Sequence, residues 1–158
     1  MDGFHLSNEV LAALGRRDRK GAPDTFDAAG YAALLRRLRE ADGDATGETV
    51  YAPRFHREIE ESFAAEIALG PGTDLVLTEG NYLLLPTPPW SRVRPLLDEV
   101  WYVDPGEQAR LRRLVERHVA YGKSPDEASA WAHGTDQRNA LLVARTREAA
   151  DLVVRLPG

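Results

Sequence analysis

Three short apolar runs constrain this fold more than any other feature of the chain. They are Leu75–Leu77 in "DLVLTEG", the stretch "EVWYVD" ending on Asp104, and "DLVVRL" close to the last residue. None of them alternates, and each is bounded by polar or turn residues. That is the pattern of a strand buried on both faces of a parallel sheet. Between and before them lie segments with helical period. Strands alternating with helices predict an α/β fold with a mostly parallel sheet flanked by helices. In such a sheet ligands sit at the carboxyl ends of the strands. The acidic residues at these ends are Glu79 and Asp104, and Asp2 stands in a similar context in "MDGFHLSN".

Local signals mark the remaining elements. "LSNEVLAALG" reads as a short helix with Ser7 as its cap and Gly15 ending it in the left-handed conformation. The polar loop "RRDRKGAPDTFD" leads to Asp27, which is placed to cap a second helix carrying Tyr31, Leu34, Leu35 and Leu38. "TVYAP" predicts a short extended piece, and "FHREIEESFAAEIA" is open between helix and strand. "PPWSRVRPLLD" predicts a short helix, and "GEQARLRRLVERHVAYG" a strongly periodic one. Two more follow in "SPDEASAWAHG" and "TDQRNALLVARTREAA". Trp90, Trp101 and Trp131 are expected in the core or in helix packing.

With 158 residues, 43% of them hydrophobic, the chain is long enough for one domain with a proper core. No run approaches the roughly 18 to 20 apolar residues that a membrane span needs, and no export signal is visible. Cysteine is absent, which excludes thiolate metal sites and fits a cytoplasmic setting. A net charge of −5 argues against broad nucleic-acid binding. Lys20 and Lys123 are the only lysines, so arginine placement carries the information about anion recognition.

Asp2 and Glu79 are each followed by glycine and then by polar or aromatic residues. A carboxylate at a strand end can hold Mg²⁺ or take a proton from a hydroxyl, though such residues also commonly cap turns. Arg110, Arg113 and Arg117 share one helix face. They could clamp phosphate oxygens, or they form a solvated face paired with Glu107 and Glu116. "RRDRKG" gathers Arg16, Arg17, Arg19 and Lys20 in a loop suited to an anionic or polyhydroxy substrate, or simply to solvent. His118 reads as structural, and His5 and His56 do not form a metal pair at any recognised spacing.

In "MDGFHLSN", "RDRKGAPDTFD", "YAPRF", "LVLTEGNYLLL", "LLDEVWYVD", "RLVERHVAYGKSP", the Thr135–Asn139 segment and "ADLVV", the chain resembles the phosphoribulokinase/uridine kinase group of P-loop kinases. Within that group it resembles the bacterial nucleoside/nucleotide kinase-like branch, which is similar to pantothenate kinases. The resemblance runs in family order over nearly all of residues 1–158. It implies an ATP- and Mg²⁺-dependent phosphotransferase acting on a hydroxyl of a nucleoside, sugar or pantothenate-like acceptor. It makes Asp2 the catalytic base near the metal and Glu79 the acidic residue that organises metal and acceptor. Arg113 and Arg117 become lid residues on the ATP phosphates, and Asn139 falls near the adenine. His5, Arg19, Lys20, Tyr51 and Arg57 fall on the acceptor side.

Two departures accompany the resemblance. His56 and Ser62 stand where the family has Asp and Pro. The family also opens with a strand, G-x-x-x-x-G-K-[ST] and a helix ahead of "DGFH". Neither Lys20 nor Lys123 has such a context. The expectation is therefore a single kinase-like domain, N-terminally truncated, lacking the first strand, P-loop and first helix, and weak or inactive by itself. The alternative is a non-catalytic remnant or binding module that keeps the acceptor side. A chain that rebuilds its sheet as a homo-oligomer is a third reading.

Overall fold

The computed structural model describes residues 1–41 and 47–156. The chain divides into two compact units, Met1–Asp98 and Glu99–Gly158.

In the first unit, helix α1 (Asn8–Ala13) starts where Ser7 Oγ accepts the Val10 N–H at 3.2 Å. It ends before Gly15, whose φ of +63° is open to glycine at little cost. A loop with two 3-10 turns, Arg17–Arg19 and Pro23–Thr25, leads to α2 (Ala28–Ala41). Asp27 caps α2 by accepting the Gly30 N–H at 2.8 Å. The inner face of α2 buries Ala28, Tyr31, Ala32 and Leu35, while Leu34 and Leu38 are half-buried.

The segment left open between helix and strand is a hairpin. Strand β1 (Val50–His56) pairs antiparallel with β2 (Glu61–Leu69). The register shifts between Ala52↔Ile67 and Arg54↔Phe63, opposite Pro53, which has no N–H to give the ladder. Ala65 absorbs the extra residues at φ +62°. The turn Asp2–Phe4 lies so close to β1 that a Cβ on Gly3 would collide with the Pro53 carbonyl.

The core of this unit is aromatic. Trp90 is 2% exposed and stacks obliquely or edge-on against Phe26, Tyr31 and Tyr82, at centroid distances of 5.8, 6.3 and 5.4 Å. Phe4 meets Tyr31 edge-on at 5.3 Å. Buried Trp and Tyr need partners for their polar tips. Trp90 Nε1 donates to the Pro23 carbonyl at 3.0 Å, Tyr82 Oη to the Gly21 carbonyl at 2.5 Å, and Tyr31 Oη pairs with Thr78 Oγ1 at 2.7 Å. Thr25, fully buried, accepts from Gly21 N and donates to the Ala22 carbonyl.

Two expectations for this unit are corrected. Leu75–Leu77 joins no sheet among the described residues, and Leu75 and Leu77 are 73% and 87% exposed. An apolar strand is buried only when strands flank it, and neither described pair includes this segment. "PPWSRVRPLLD" forms two 3-10 turns, Trp90–Arg92 and Arg94–Leu96, rather than one helix. Pro95 cannot donate the backbone bond that would continue it.

The second unit holds the parallel pair. Strand β3 (Trp101–Asp104) runs parallel to β4 (Leu152–Arg155), and the connection between them contains α3 (Glu107–Ala120), α4 (Pro125–His133) and α5 (Thr135–Ala144). Asp151 aligns the two strands: its carboxylate accepts Val100 N at 2.7 Å, and its own N–H donates to the Val100 carbonyl at 2.9 Å. This α/β architecture of parallel strands and covering helices is the expected class. Ser124 and Glu127 close a reciprocal capping box at the start of α4. Trp101 departs from expectation and is 58% exposed. It shares the open face of the β3–β4 pair with Val103, because a two-stranded sheet has no third layer to cover that side.

Replacing Trp90 tests the aromatic core. Trp90→Ala should lower unfolding free energy by about 3–5 kcal/mol through the cavity it leaves. Trp90→Phe, which mainly orphans the Pro23 carbonyl, should cost about 1–2 kcal/mol. Urea denaturation followed by circular dichroism distinguishes the two magnitudes; equal small losses would contradict this account of the core.

Candidate active site

Asp2 is held by the turn it starts and by a short bridge behind it. His5 and Phe26 pair antiparallel, with Leu6 N donating to the Thr25 carbonyl at 2.9 Å and Asp27 N to the Phe4 carbonyl at 2.8 Å. The segment carrying Asp2 is thereby tied to the loop that the aromatic core holds. On its other flank, the Met1 amine donates to the Glu79 carbonyl at 2.7 Å. A Cβ on Gly80 would collide with the Met1 side chain, so the Asp2 and Glu79 segments run in contact. The Glu79 side chain is 84% exposed.

His5 lies against two rings, with centroids 4.0 Å from Phe26 and 4.7 Å from Phe55. Its Nδ1 is 2.8 Å from the Asp2 carbonyl. A carbonyl only accepts, so Nδ1 carries the proton and the neutral ring keeps its lone pair on Nε2. Burial pushes the His5 imidazole below its ordinary value, outweighing the opposing pull of the Asp2 carbonyl and carboxylate.

The hairpin supplies the rest of the cluster. Arg57 Nη2 reaches Asp2 Oδ2 at 3.1 Å, and its guanidinium lies 6.0 Å from the centroid of Phe55. The Lys20 ammonium lies 5.3 Å from the same centroid. Lys20 also donates to Asn8 Oδ1 at 2.7 Å and to the Glu60 carbonyl, while Asn8 N donates to Glu61 Oε1 at 2.9 Å. These bonds latch the hairpin turn to the start of α1. Desolvation holds the Lys20 ammonium below its ordinary value, against the pull of Glu61 and Glu60.

Asp2, His5, Lys20 and Arg57 are thus brought together. Arg19 is turned aside: its Nη1 is 2.5 Å from Asp24 Oδ1, and Arg16 converges on the same carboxylate at 3.5 Å. Tyr51 is exposed on β1 opposite Ala68, and no described contact joins it to the cluster. Sequence reasoning missed Phe55 and Phe26, the two rings that hold His5. The available signal was the run "RFHR", whose aromatic and cationic residues gain meaning once a strand is assigned there. His56, on the same strand, bridges Glu58 and Glu66 at 3.0 and 2.6 Å, and these carboxylates raise its imidazole above the ordinary value.

In the second unit, Arg113 and Arg117 are exposed on α3, while Arg110 is bound to Glu107 and Gln137. The arginine face therefore divides into one structural residue and two that face solvent. Asn139 is half-buried on α5. His118 Nε2 meets Asp136 Oδ2 at 2.8 Å, linking α3 to α5. Lys123 lies 4.8 Å from the Trp131 ring centroid. Among the described residues, no group of three or more His, Cys, Asp or Glu side chains is arranged to hold a metal ion. No helix among them is long and apolar enough to cross a membrane.

The half-buried His5 has a measurable consequence. Its folded value lies below the unfolded one near 6.5, so the unfolded chain binds the extra proton first as pH falls. Relative to His5→Gln, the unsubstituted protein should lose stability as pH drops below about 6.5, and the difference should level off below the folded value. Urea midpoints measured across that range test this, and a difference independent of pH would refute it.

No family model matches the chain. Individual relatives do. The ATP-dependent kinase-like protein notR' of Aspergillus versicolor is 40% identical over 134 residues, covering 82% of this chain and 77% of that protein. A candidate uridine kinase of Schizosaccharomyces pombe is 30% identical over 161 residues, covering 98% of this chain and 67% of its own. The crystal structure of a candidate fructose transport system kinase from Silicibacter superposes with a TM-score of 0.84 at 36% identity, over 99% of this chain and 72% of that one. YFH7 of Saccharomyces cerevisiae, described as a candidate P-loop-containing kinase with a circular permutation, shares the fold at the same TM-score with 22% identity, and the match spans 56% of it. On these similarities, the chain belongs to a family of ATP-dependent kinase-like proteins, and it shares the fold of a P-loop-containing kinase.

Proposed function

We propose that the chain forms the acceptor side and lid of an ATP-dependent phosphotransferase that phosphorylates a hydroxyl of a nucleoside, sugar or pantothenate-like acceptor. The observation that carries this reading is the Asp2 cluster: a carboxylate on a tethered segment, beside a neutral imidazole and two cations, at the edge of an aromatic platform. Asp2 accepts the hydroxyl proton as the acceptor oxygen bonds to the γ-phosphorus and the bond to the bridging oxygen breaks, releasing ADP. His5, Lys20 and Arg57 bind and orient the acceptor. Arg113 and Arg117 bind the ATP phosphates, free of the partners that occupy Arg110, and Asn139 lies towards the adenine.

Asp2 and Glu79 suit Mg²⁺ in kind. They are hard oxygen donors on adjoining segments, and this ion commonly takes one or two carboxylates together with phosphate oxygens and water. When bound it neutralises charge on the phosphates.

The 158 residues contain no G-x-x-x-x-G-K-[ST] motif, and helix-start N–H groups supply much of the phosphate binding in this chemistry. By itself the chain is therefore a poor catalyst. The same observation favours a second reading, a binding module that retains the acceptor site alone.

Transfer of labelled γ-phosphate to a panel of hydroxyl acceptors separates these readings. The chain alone should work near background. The same chain preceded by a grafted strand, glycine-rich loop and helix should work at least about 100-fold faster. Efficient saturable transfer by the chain alone would show the loop to be dispensable, and inactivity of the grafted chain on every acceptor would favour the binding module. In the active form Asp2→Asn should lower kcat by about 10²–10⁴, with acceptor KM unchanged or lowered by no more than about fivefold. An unchanged kcat would remove Asp2 from the role of base.

A further inference from the structure

The Asp2 carboxylate proposed to take a proton is already occupied by a cation. Arg57 Nη2 is 3.1 Å from Asp2 Oδ2, and a carboxylate oxygen that accepts a guanidinium N–H is less available to a substrate hydroxyl. Neither partner is deeply buried: the side chains are 41% and 37% exposed. An ion pair exposed to this degree is worth little and can be exchanged for another. Arg57 also begins the turn after β1, on a long flexible side chain, so its guanidinium can move without displacing the strand.

The charge around Phe55 indicates what could draw Arg57 away. The same ring is approached by the Lys20 ammonium, whose hydrogen bonds go to uncharged oxygens, the Asn8 amide and the Glu60 carbonyl. Glu60 and Glu61 act on it through space. Two cations therefore flank one ring, one of them bonded to the Asp2 carboxylate. A second anionic group entering this space would find Lys20 in place and Arg57 within reach.

We propose that Arg57 is a positioning and specificity residue that exchanges partners: in the free protein it holds Asp2, and an acceptor carrying its own carboxylate or phosphate takes the guanidinium and releases Asp2. The inference rests on the reading of Asp2 as the base. It narrows the acceptors to hydroxyl compounds that bear a negative charge, and it makes release of the base conditional on the correct acceptor. A neutral polyol would leave Arg57 on Asp2.

Calorimetric titration of the 158-residue chain with matched probes tests this without requiring turnover. The pairs are D-ribose 5-phosphate and D-ribose, uridine 5′-monophosphate and uridine, and pantothenate and pantothenol. The charged member of at least one pair should bind about tenfold or more tightly than its neutral twin, and the pair that responds identifies phosphate or carboxylate. Arg57→Gln should reduce that preference to the part that Lys20 alone supplies, and Arg57→Lys should keep more of it. Asp2→Asn should tighten the charged probe by about two- to fivefold, because Arg57 no longer leaves a partner; a merely structural ion pair would give weaker binding. Equal affinity within every pair, a preference undiminished by Arg57→Gln, or weakened charged-probe binding in Asp2→Asn overturns the exchange and leaves Asp2 as base. Failure of all six probes to bind removes the acceptor site, and the base with it.

Discussion

The first unit depends on one requirement: an indole and two phenols cannot be buried unless their polar tips are satisfied. Trp90 and Tyr82 meet it by donating to the backbone carbonyls of Pro23 and Gly21, and Tyr31 by pairing with Thr78. Core packing and loop conformation are therefore one interaction. The loop cannot relax without orphaning buried donors, and the rings cannot shift without releasing the loop. Through the His5–Phe26 bridge, the same constraint reaches the segment that carries Asp2.

The site inherits its geometry from this arrangement. Phe26 belongs both to the core, edge-on to Trp90 and Tyr82, and to the site, where it lies against His5. Burial between Phe26 and Phe55 keeps His5 neutral, and the Asp2 carbonyl determines which ring nitrogen carries the proton. The hairpin contributes the charged half of the cluster. It is latched at its turn by Lys20 and Asn8 and approached at Pro53 by a glycine that leaves no room for a side chain. A platform of rings from two segments thus presents a carboxylate with its counter-charge already engaged.

Much of this was legible from local chemistry. Ser7, Gly15 and Asp27 act as the caps they resemble, because capping is decided within three residues of the helix end. The helical faces of α2 and α3 follow from period alone. The hairpin was not legible, because "FHREIEESFAAEIA" satisfies both periods and only pairing with β1 chooses between them. Leu75–Leu77 and Trp101 were misjudged for the opposite reason. Their apolar character predicts burial, but burial depends on what lies beside them.

The amino-acid sequence by itself determined the α/β class, the caps at Ser7, Gly15 and Asp27, and the kinase resemblance. Each of these rests on residue type and short-range spacing. Tertiary structure alone decided that Arg19 belongs to Asp24, that Arg110 reaches Gln137, and that Arg57 meets Asp2. A cation's role depends on which carboxylate or carbonyl lies within about 3 Å, and no spacing along the chain states that distance.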